Sequence, residues 1–323
     1  MRLFTYKLSL FCLTLLCAVS CGTFVGNPVQ PDDDDDAVYV DIPELNLTVP
    51  STATDYTEEA SLNLADANLR GLKKFGGQIH RIIRRTGKVL DRVRNEDGIR
   101  KIGTYSNLGP NSKLSAKLES SSSEDYKYAA TFCYENIPAI YVSWNSTNDL
   151  TVFYKGSVGI LGLEPEEIIS KVKVEEVEGS LLYHSNSSGK GLFQASSIEL
   201  DYRSYVYAVK SDASLRISGV NSIDVNSSGS FSPYRLSIGD IDTSGNGSWA
   251  GWKMPLVDTS PCAETLNFES PSYCVGDSFT SAGSQSGALD AATIGGELVA
   301  NGVSLPEASN LINVNFPESA TCQ

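Results

Sequence analysis

Histidine, basic side chains and long apolar runs are all scarce in this 323-residue chain, and each shortage excludes a class of protein. Only two histidines are present, and 25 Lys and Arg stand against 39 Asp and Glu, for a net charge of −14. Such an acidic chain repels nucleic acid, and no glycine-rich phosphate loop occurs, so we expect neither nucleic acid nor a nucleotide as partner. No apolar run reaches the roughly 20 residues that a membrane-spanning helix needs.

The motifs of covalent and metal-dependent catalysis are missing as well. A nucleophile–base pair would need His80 or His184 beside a serine or cysteine, yet no Gly-x-Ser-x-Gly elbow is present. No Cys-x-x-Cys pair occurs, which argues against zinc. Acidic pairs such as Glu175-Glu176 are ordinary in so acidic a chain. The sequence therefore predicts a protein that is not an enzyme and has no cofactor, with calcium as a weak alternative.

The first 20 residues have the three parts of a secretory signal. Arg2 and Lys7 form a basic start, residues 8–19 form an apolar run, and small residues follow before Cys21. Removal of this segment would take away two cations and lower the net charge from −14 to −16. We therefore predict an exported protein.

Ala18-Val19-Ser20-Cys21 resembles the lipobox of bacterial lipoproteins, departing from it at Ala18, where the pattern prefers leucine. The resemblance implies cleavage after Ser20, a diacylglyceryl thioether on Cys21 and N-acylation by a fatty acid such as palmitate. Two or three acyl chains anchor a protein firmly. Gly22 follows the cysteine, and by the same resemblance this favours the outer membrane. An ordinary cleaved signal, or lipidation at Cys17, are the alternatives.

Residues 21–54 are predicted to form an acidic, proline-containing tether in the cell envelope or periplasm. Residues 32–36 are five consecutive aspartates, and such like charges repel one another and extend the chain. Calcium binding by this run is the alternative interpretation.

Residues 55–98 are predicted to be helical. Asp55 and Glu58 fit a capping box, and Gly98 fits the end of the helix. Apolar residues recur at seven-residue spacing: Leu62, Leu69, Ile83 and Leu90. The stripe would cover a sheet or form a coiled-coil dimer, with Gly76-Gly77 kinking or splitting the helix. The basic second half would contact anionic lipid head groups or simply face solvent.

Residues 99–255 alternate apolar and polar side chains between turn-rich connections, which is typical of antiparallel strands. The expected fold is mainly β with a long N-terminal helix: an antiparallel meander, sandwich or partly closed barrel covered by the helix. Residues 164–167, Glu-Pro-Glu-Glu, are predicted to form a short helical turn with Pro165 at its first position.

Residues 256–323 are predicted to be an acidic, loop-rich region that wraps the β-domain. This region lacks Lys and Arg. Four cysteines remain beyond the signal and the lipidation site, and an even number in an exported chain suggests two disulfides. The favoured arrangement, one of three, joins Cys262 to Cys274 and Cys133 to Cys322.

The most suggestive local motif begins at Asp240. The alternating oxygen side chains of Asp240, Asp242 and Ser244 before Gly245 resemble the first half of a calcium loop. The twelfth position, however, is Gly251 rather than a bidentate glutamate. Asn246-Gly247 is a strong hairpin signal, so a polar turn is the competing interpretation.

The sequence favours a membrane-anchored envelope lipoprotein that acts as a non-enzymatic binding or structural module for a protein or lipid ligand. The alternative is a lipid or lipoprotein carrier, because a helix followed by many strands is similar in outline to periplasmic half-barrel carriers. A hydrolase is a third possibility. A carrier should have an apolar pocket, whereas a binding module should have a filled core and a surface patch.

Overall fold

The computed structural model describes residues 38–45, 64–94, 98–108, 113–156, 163–193, 198–225, 228–253, 266–279 and 290–322. The predicted signal, Cys21, Cys262 and the Asp55 capping box lie outside these residues. Part of the predicted tether, residues 38–45, is instead packed on the domain, where residues 39–41 form a strand and Val40 and Ile42 are buried. The helices are α1, Leu64–Val93, and α2, Ala291–Ala300, with a 3-10 turn at Ala308–Asn310.

The described strands are β1 Tyr39–Asp41, β2 Ile99–Lys101, β3 Gly103–Tyr105, β4 Leu114–Ser120, β5 Tyr128–Tyr134, β6 Ile137–Ser146, β7 Asp149–Lys155, β8 Leu163–Val177, β9 Ser180–Phe193, β10 Ile198–Lys210, β11 Ser214–Val225, β12 Ser232–Asp242, β13 Gly247–Lys253 and β14 Val275–Phe279. Strands β3 to β14 form one 12-stranded antiparallel sheet in which every strand pairs with its neighbours in the chain. Strand β1 pairs separately with β2. In this part of the chain the sheet is an open meander with β3 and β14 at its edges, which confirms the predicted fold class and selects the meander.

The predicted helical turn at residues 164–167 is wrong. Strand β8 begins at Leu163 and pairs with β9 through this segment. The register shifts between Pro165 and Glu167, so a bulge accommodates the proline that cannot donate to the ladder. The proline therefore marks an irregularity in a strand rather than the start of a helix.

Helix α1 packs its apolar stripe against one face of the sheet, called here the helix face. The helix is continuous through Gly76-Gly77 and is not split there. Its apolar side chains that are at most 2% exposed are Phe75, Ile79, Ile82, Ile83, Leu90 and Val93. They share one apolar cluster with side chains from strands as far apart as β4 and β14. The stripe covers the sheet, as predicted for one of the two alternatives.

The opposite face of the sheet, called here the tail face, is covered by residues 266–279 and 290–322. Helix α2 packs Ile294 and Leu298 against Ile238 and Ala250 of β12 and β13. The chain after α2 then crosses the strands towards β5. Successive residues of a strand point to opposite faces of the sheet. Because both faces are covered, residues on both sides of the central strands are buried.

Contacts at intervals along the tail hold it to the sheet. Ser188 of β9 accepts a hydrogen bond from the Val314 amide at 2.8 Å. Further along, Phe316 meets Phe153 of β7 edge to face. The crossing ends at a disulfide between Cys133 of β5 and Cys322. This bond confirms one of the two predicted pairings.

Candidate functional site

A row of polar side chains runs across the helix face at one register position. Ser170, Ser187, Ser204, Asn221 and Arg235 lie directly opposite one another on β8 to β12. Residues opposite each other in an antiparallel ladder point to the same side of the sheet. One polar side chain from each of these five neighbouring strands therefore forms a polar row across the sheet.

Helix α1 covers this polar row from above. The Gln78 side chain donates a 2.5 Å hydrogen bond to Ser187 Oγ, and Ser187 also shares a 2.7 Å hydrogen bond with Ser170. Phe75 packs on Gly219, in the next register row. The polar row is therefore an internal feature between helix and sheet.

Arg235 is the unusual member of the row, because it is a buried cation without a carboxylate. Only 4% of its surface is exposed. Among the described residues, its buried Nε atom has no hydrogen-bond partner, and no Asp or Glu forms an ion pair with it. Burial lowers the pKa of its guanidinium.

Two buried tyrosines lie close enough to Arg235 to interact with its charge, Tyr202 and Tyr234. Burial raises the pKa of the Tyr202 hydroxyl well above its usual value and that of Tyr234 to about 12. Both therefore stay protonated at neutral pH. Tyr202 donates a 3.1 Å hydrogen bond to Asn221 Oδ1. Both rings pack in a small apolar cluster with Ile168 and Ile223.

The outer side of α1 carries a second candidate, an exposed basic surface called here the basic face. It consists of Arg81, Arg84 and Lys88, whose side chains are all exposed. Their spacing of three and four residues places them on one side of the helix. Residues 70–94 hold nine Lys and Arg but only one acid, Asp91, in a chain of net charge −14.

The three predicted calcium residues lie at the hairpin between β12 and β13: Asp240 and Asp242 belong to the end of β12, and Ser244 lies in the turn. Asp242 Oδ1 accepts hydrogen bonds from the backbone amides of Ser244, at 2.8 Å, and Asn246, at 2.9 Å. These bonds, that of Asn246 first, lower the pKa of the Asp242 carboxyl. The Asp240 carboxylate instead lies 3.6 Å from Arg216 Nε. The geometry is that of the polar turn that competes with the calcium interpretation.

His184 lies on the tail face beside two tyrosines and an acid. Its Nδ1 is 3.1 Å from the Tyr205 hydroxyl, and its Nε2 is 3.4 Å from Glu175 Oε1. The His184 ring packs against that of Tyr207, with centroids 4.8 Å apart. The hydrogen-bonding partners of His184 are thus a phenol and a carboxylate rather than a serine or a thiol. His80 lies half-buried on α1.

The cysteines divide between described and undescribed parts of the chain. Cys133 and Cys322 are bonded to each other. Cys274 is also disulfide-bonded, while its predicted partner Cys262 and the lipidation site Cys21 lie outside the described residues.

Comparison with known proteins adds no functional assignment. No family model, curated protein or solved structure matches the chain. In the described residues, no helix is long and apolar enough to cross a membrane. No group of three or more His, Cys, Asp and Glu side chains that could hold a metal occurs among those same residues.

Proposed function

We propose that this protein is a lipid-anchored protein of the cell envelope, in the outer membrane, that acts without catalysis as a binding module. The observation that carries this proposal is the basic face of α1, exposed above a well-packed contact between helix and sheet. Asp91, three residues after Lys88, is an exposed acid beside this patch. A mainly basic surface on a chain of negative net charge is suited to an anionic partner. The partner surface that we propose is a layer of anionic lipid head groups.

The proposed tether limits how far the basic face can lie from the membrane. Because residues 39–41 form β1 and are attached to the domain, about 17 residues separate Cys21 from the first described residue, Val38. A flexible chain of that length has an end-to-end distance of roughly 23 Å. An anchored domain held within this distance repeatedly meets the head groups, and each Lys or Arg near an anionic surface contributes about 1 kcal/mol. Three exposed cations are therefore sufficient to orient an anchored domain.

The anchor itself is tested by a single substitution. Cys21→Ser should abolish metabolic labelling by palmitate and release the protein from the membrane fraction. Cys17→Ser is the matched control and should leave labelling unchanged. Continued labelling of the Cys21→Ser variant would contradict the anchor.

The basic face is tested with vesicles and a soluble Cys21→Ser form. We expect sedimentation with vesicles containing anionic lipid but not with zwitterionic vesicles, and loss of binding in 1 M salt. Replacing Arg81, Arg84 and Lys88 by Gln should lower the partition constant by ~100-fold, at about 1 kcal/mol for each cation.

A matched control removes the same charge elsewhere. Lys113, Lys127 and Lys190 are exposed cations on the strands and their connections. Their replacement by Gln should have little effect on vesicle binding. Equal binding by the two triple variants would show that net charge, rather than the basic face, governs the interaction and would overturn the proposal.

A carrier of lipid or lipoprotein is the second candidate function. The observation that favours it is the placement of a long helix against one face of an open 12-stranded sheet, with the polar row between them. A carrier would bind its ligand at this contact between helix and sheet. Native mass spectrometry separates the two functions, because only a carrier should copurify with a mass of lipid size.

A further inference from the structure

Arg235 lacks the structural partners that a buried arginine normally has. Buried charges in proteins are paired with an opposite charge or hydrogen-bonded, because removal from water is costly. Within the described chain, Arg235 has no ion pair and its Nε has no acceptor. With the aromatic rings of the described residues, Arg235 also makes no stacking contact of the kind that Arg203 makes with Phe231.

Neighbouring polar groups on the helix face are also unsatisfied. Ser237 lies two residues along β12 and is fully buried, and its hydroxyl has no hydrogen-bond partner in the part of the chain that the structure describes. Unpaired buried groups are rare in folded proteins, and those that occur call for an explanation such as a ligand. Ser237 pairs with Gly219, where Phe75 closes the space between helix and strand. The unpaired charge of Arg235, one register row further along, is therefore the place where a ligand would supply the missing interactions.

We propose that Arg235 binds an anionic oxygen group, a phosphate or a carboxylate, between α1 and the sheet, with Tyr202, Tyr234 and Asn221 around it. A guanidinium matches both groups because its fork of N–H donors pairs with two oxygens at once. The Tyr234 hydroxyl supplies a further donor, whereas the Tyr202 hydroxyl already donates to Asn221 Oδ1.

The anionic group can belong to a free small anion or to the head group of a lipid. Ile168 and Ile223 pack beside the tyrosines and provide an apolar neighbourhood compatible with either source. The site is independent of the basic face, because Arg235 belongs to the helix face of the sheet whereas the basic face lies on the outer side of α1. The triple Gln variant of the basic face should therefore keep this site.

The test is the thermal midpoint of the soluble Cys21→Ser form in inorganic phosphate, compared with chloride at equal ionic strength. At about 100 times the dissociation constant, a bound ligand should raise the midpoint by ~5–10 °C. Arg235→Met should lose this response. Without phosphate it should be at least as stable as the parent, because it removes an unpaired buried charge.

Arg203→Gln is the matched control. Arg203 is a partly buried arginine on the tail face that donates to the Leu311 carbonyl. Its replacement should leave the phosphate response intact. Arg235→Lys, which keeps the charge without the fork, should fold and respond more weakly; it replaces Arg235→Met if that variant does not fold.

The two sources of the anion are separated by native mass spectrometry. A lipid-sized adduct in the parent that is absent from Arg235→Lys identifies a head group, whereas a phosphate response without such an adduct identifies a free anion. The inference is overturned if Arg235→Lys responds to phosphate as the parent does. It is also overturned if the parent shows neither a response to phosphate or acetate nor an adduct.

Discussion

Phe75 of α1 lies so close to Gly219 of β11 that no side chain fits between the helix and the strand at this point. A Cβ atom built on Gly219 would come within 2.5 Å of the Phe75 ring. Phe75 is itself 2% exposed. This contact fixes the distance between helix and sheet beside the polar row, and it is the clearest sign of close packing there.

The contact predicts opposite effects for two glycine-to-alanine substitutions. Gly219→Ala should lower the free energy of unfolding by ~1–3 kcal/mol, because the methyl group displaces a buried ring. Gly77→Ala should raise it by about 1 kcal/mol, since Gly77 is helical and a Cβ there meets nothing within 4 Å. Urea unfolding of both variants checks the pair. If Gly219→Ala left the free energy of unfolding unchanged, helix and sheet would not be tightly packed at β11.

The disulfide between Cys133 and Cys322 should stabilise the attachment of the tail. It joins positions 189 residues apart and closes the crossing of the tail face. Cys322→Ser should lower the free energy of unfolding by ~2–5 kcal/mol. Cys133→Ser/Cys322→Ser should behave like the single variant, because both lose the same bond.

Peptide mapping without reduction checks the bonding directly. We expect Cys133 linked to Cys322 and Cys262 linked to Cys274, with no free thiol among the four. Four reactive thiols would refute both disulfides.

His184 should make stability fall as the solution becomes acidic. Burial lowers its pKa, and the Coulomb attraction of Glu175 opposes this only in part. A histidine whose pKa is lower when folded than the unfolded value of about 6.5 binds fewer protons in the folded state. The contribution of His184 to the free energy of unfolding is therefore fully present above pH ~6.5, and it is lost progressively as the pH falls below that value.

The pH effect is measured as the urea midpoint between pH 5.5 and 7.5. Lys173, Glu175, Tyr205 and Tyr207 face the imidazole and are kept unchanged. His184→Gln should flatten the dependence, whereas His80→Gln should retain it. If the urea midpoint of His184→Gln depends on pH as steeply as that of the parent, titratable groups other than His184 determine the pH dependence.

The turn between β12 and β13 should be held by Asp242 rather than by calcium. Asp242→Ala removes the acceptor for two backbone amides and should lower the thermal midpoint equally with and without calcium. Asp240→Ala loses a pairing with Arg216 and should have a smaller effect, because that pair is partly exposed. If calcium raised the thermal midpoint of the parent protein, and if both substitutions removed that rise, the turn would instead be a metal site.

The strands could be predicted from the sequence because their pattern is local. Each strand of the large sheet pairs with its chain neighbours, so alternation and turn signals identify them without long-range information. The stripe of α1 was equally visible at helical spacing. Helix α2 was missed because it contains Gly295-Gly296 and lies in a glycine-rich region. Gly295 is needed there, since a Cβ would come within 2.1 Å of the Tyr273 ring.

Arg235 could not be found from the sequence for a physical reason. Along β12 it alternates with the apolar Leu236 and Ile238, and simple alternation would place Arg235 and Ser237 in solvent. Both are buried because α1 covers that face while the tail covers the other. Which side chains meet beneath a helix depends on long-range packing that local periodicity does not encode.

The most direct test of the binding-module account is native mass spectrometry of the Cys21→Ser form purified from an oxidising envelope. The account predicts a mass four hydrogens below that of the reduced chain, for two disulfides, with no adduct larger than a small anion. A copurified mass of lipid size would contradict it and would assign the protein to the carriers.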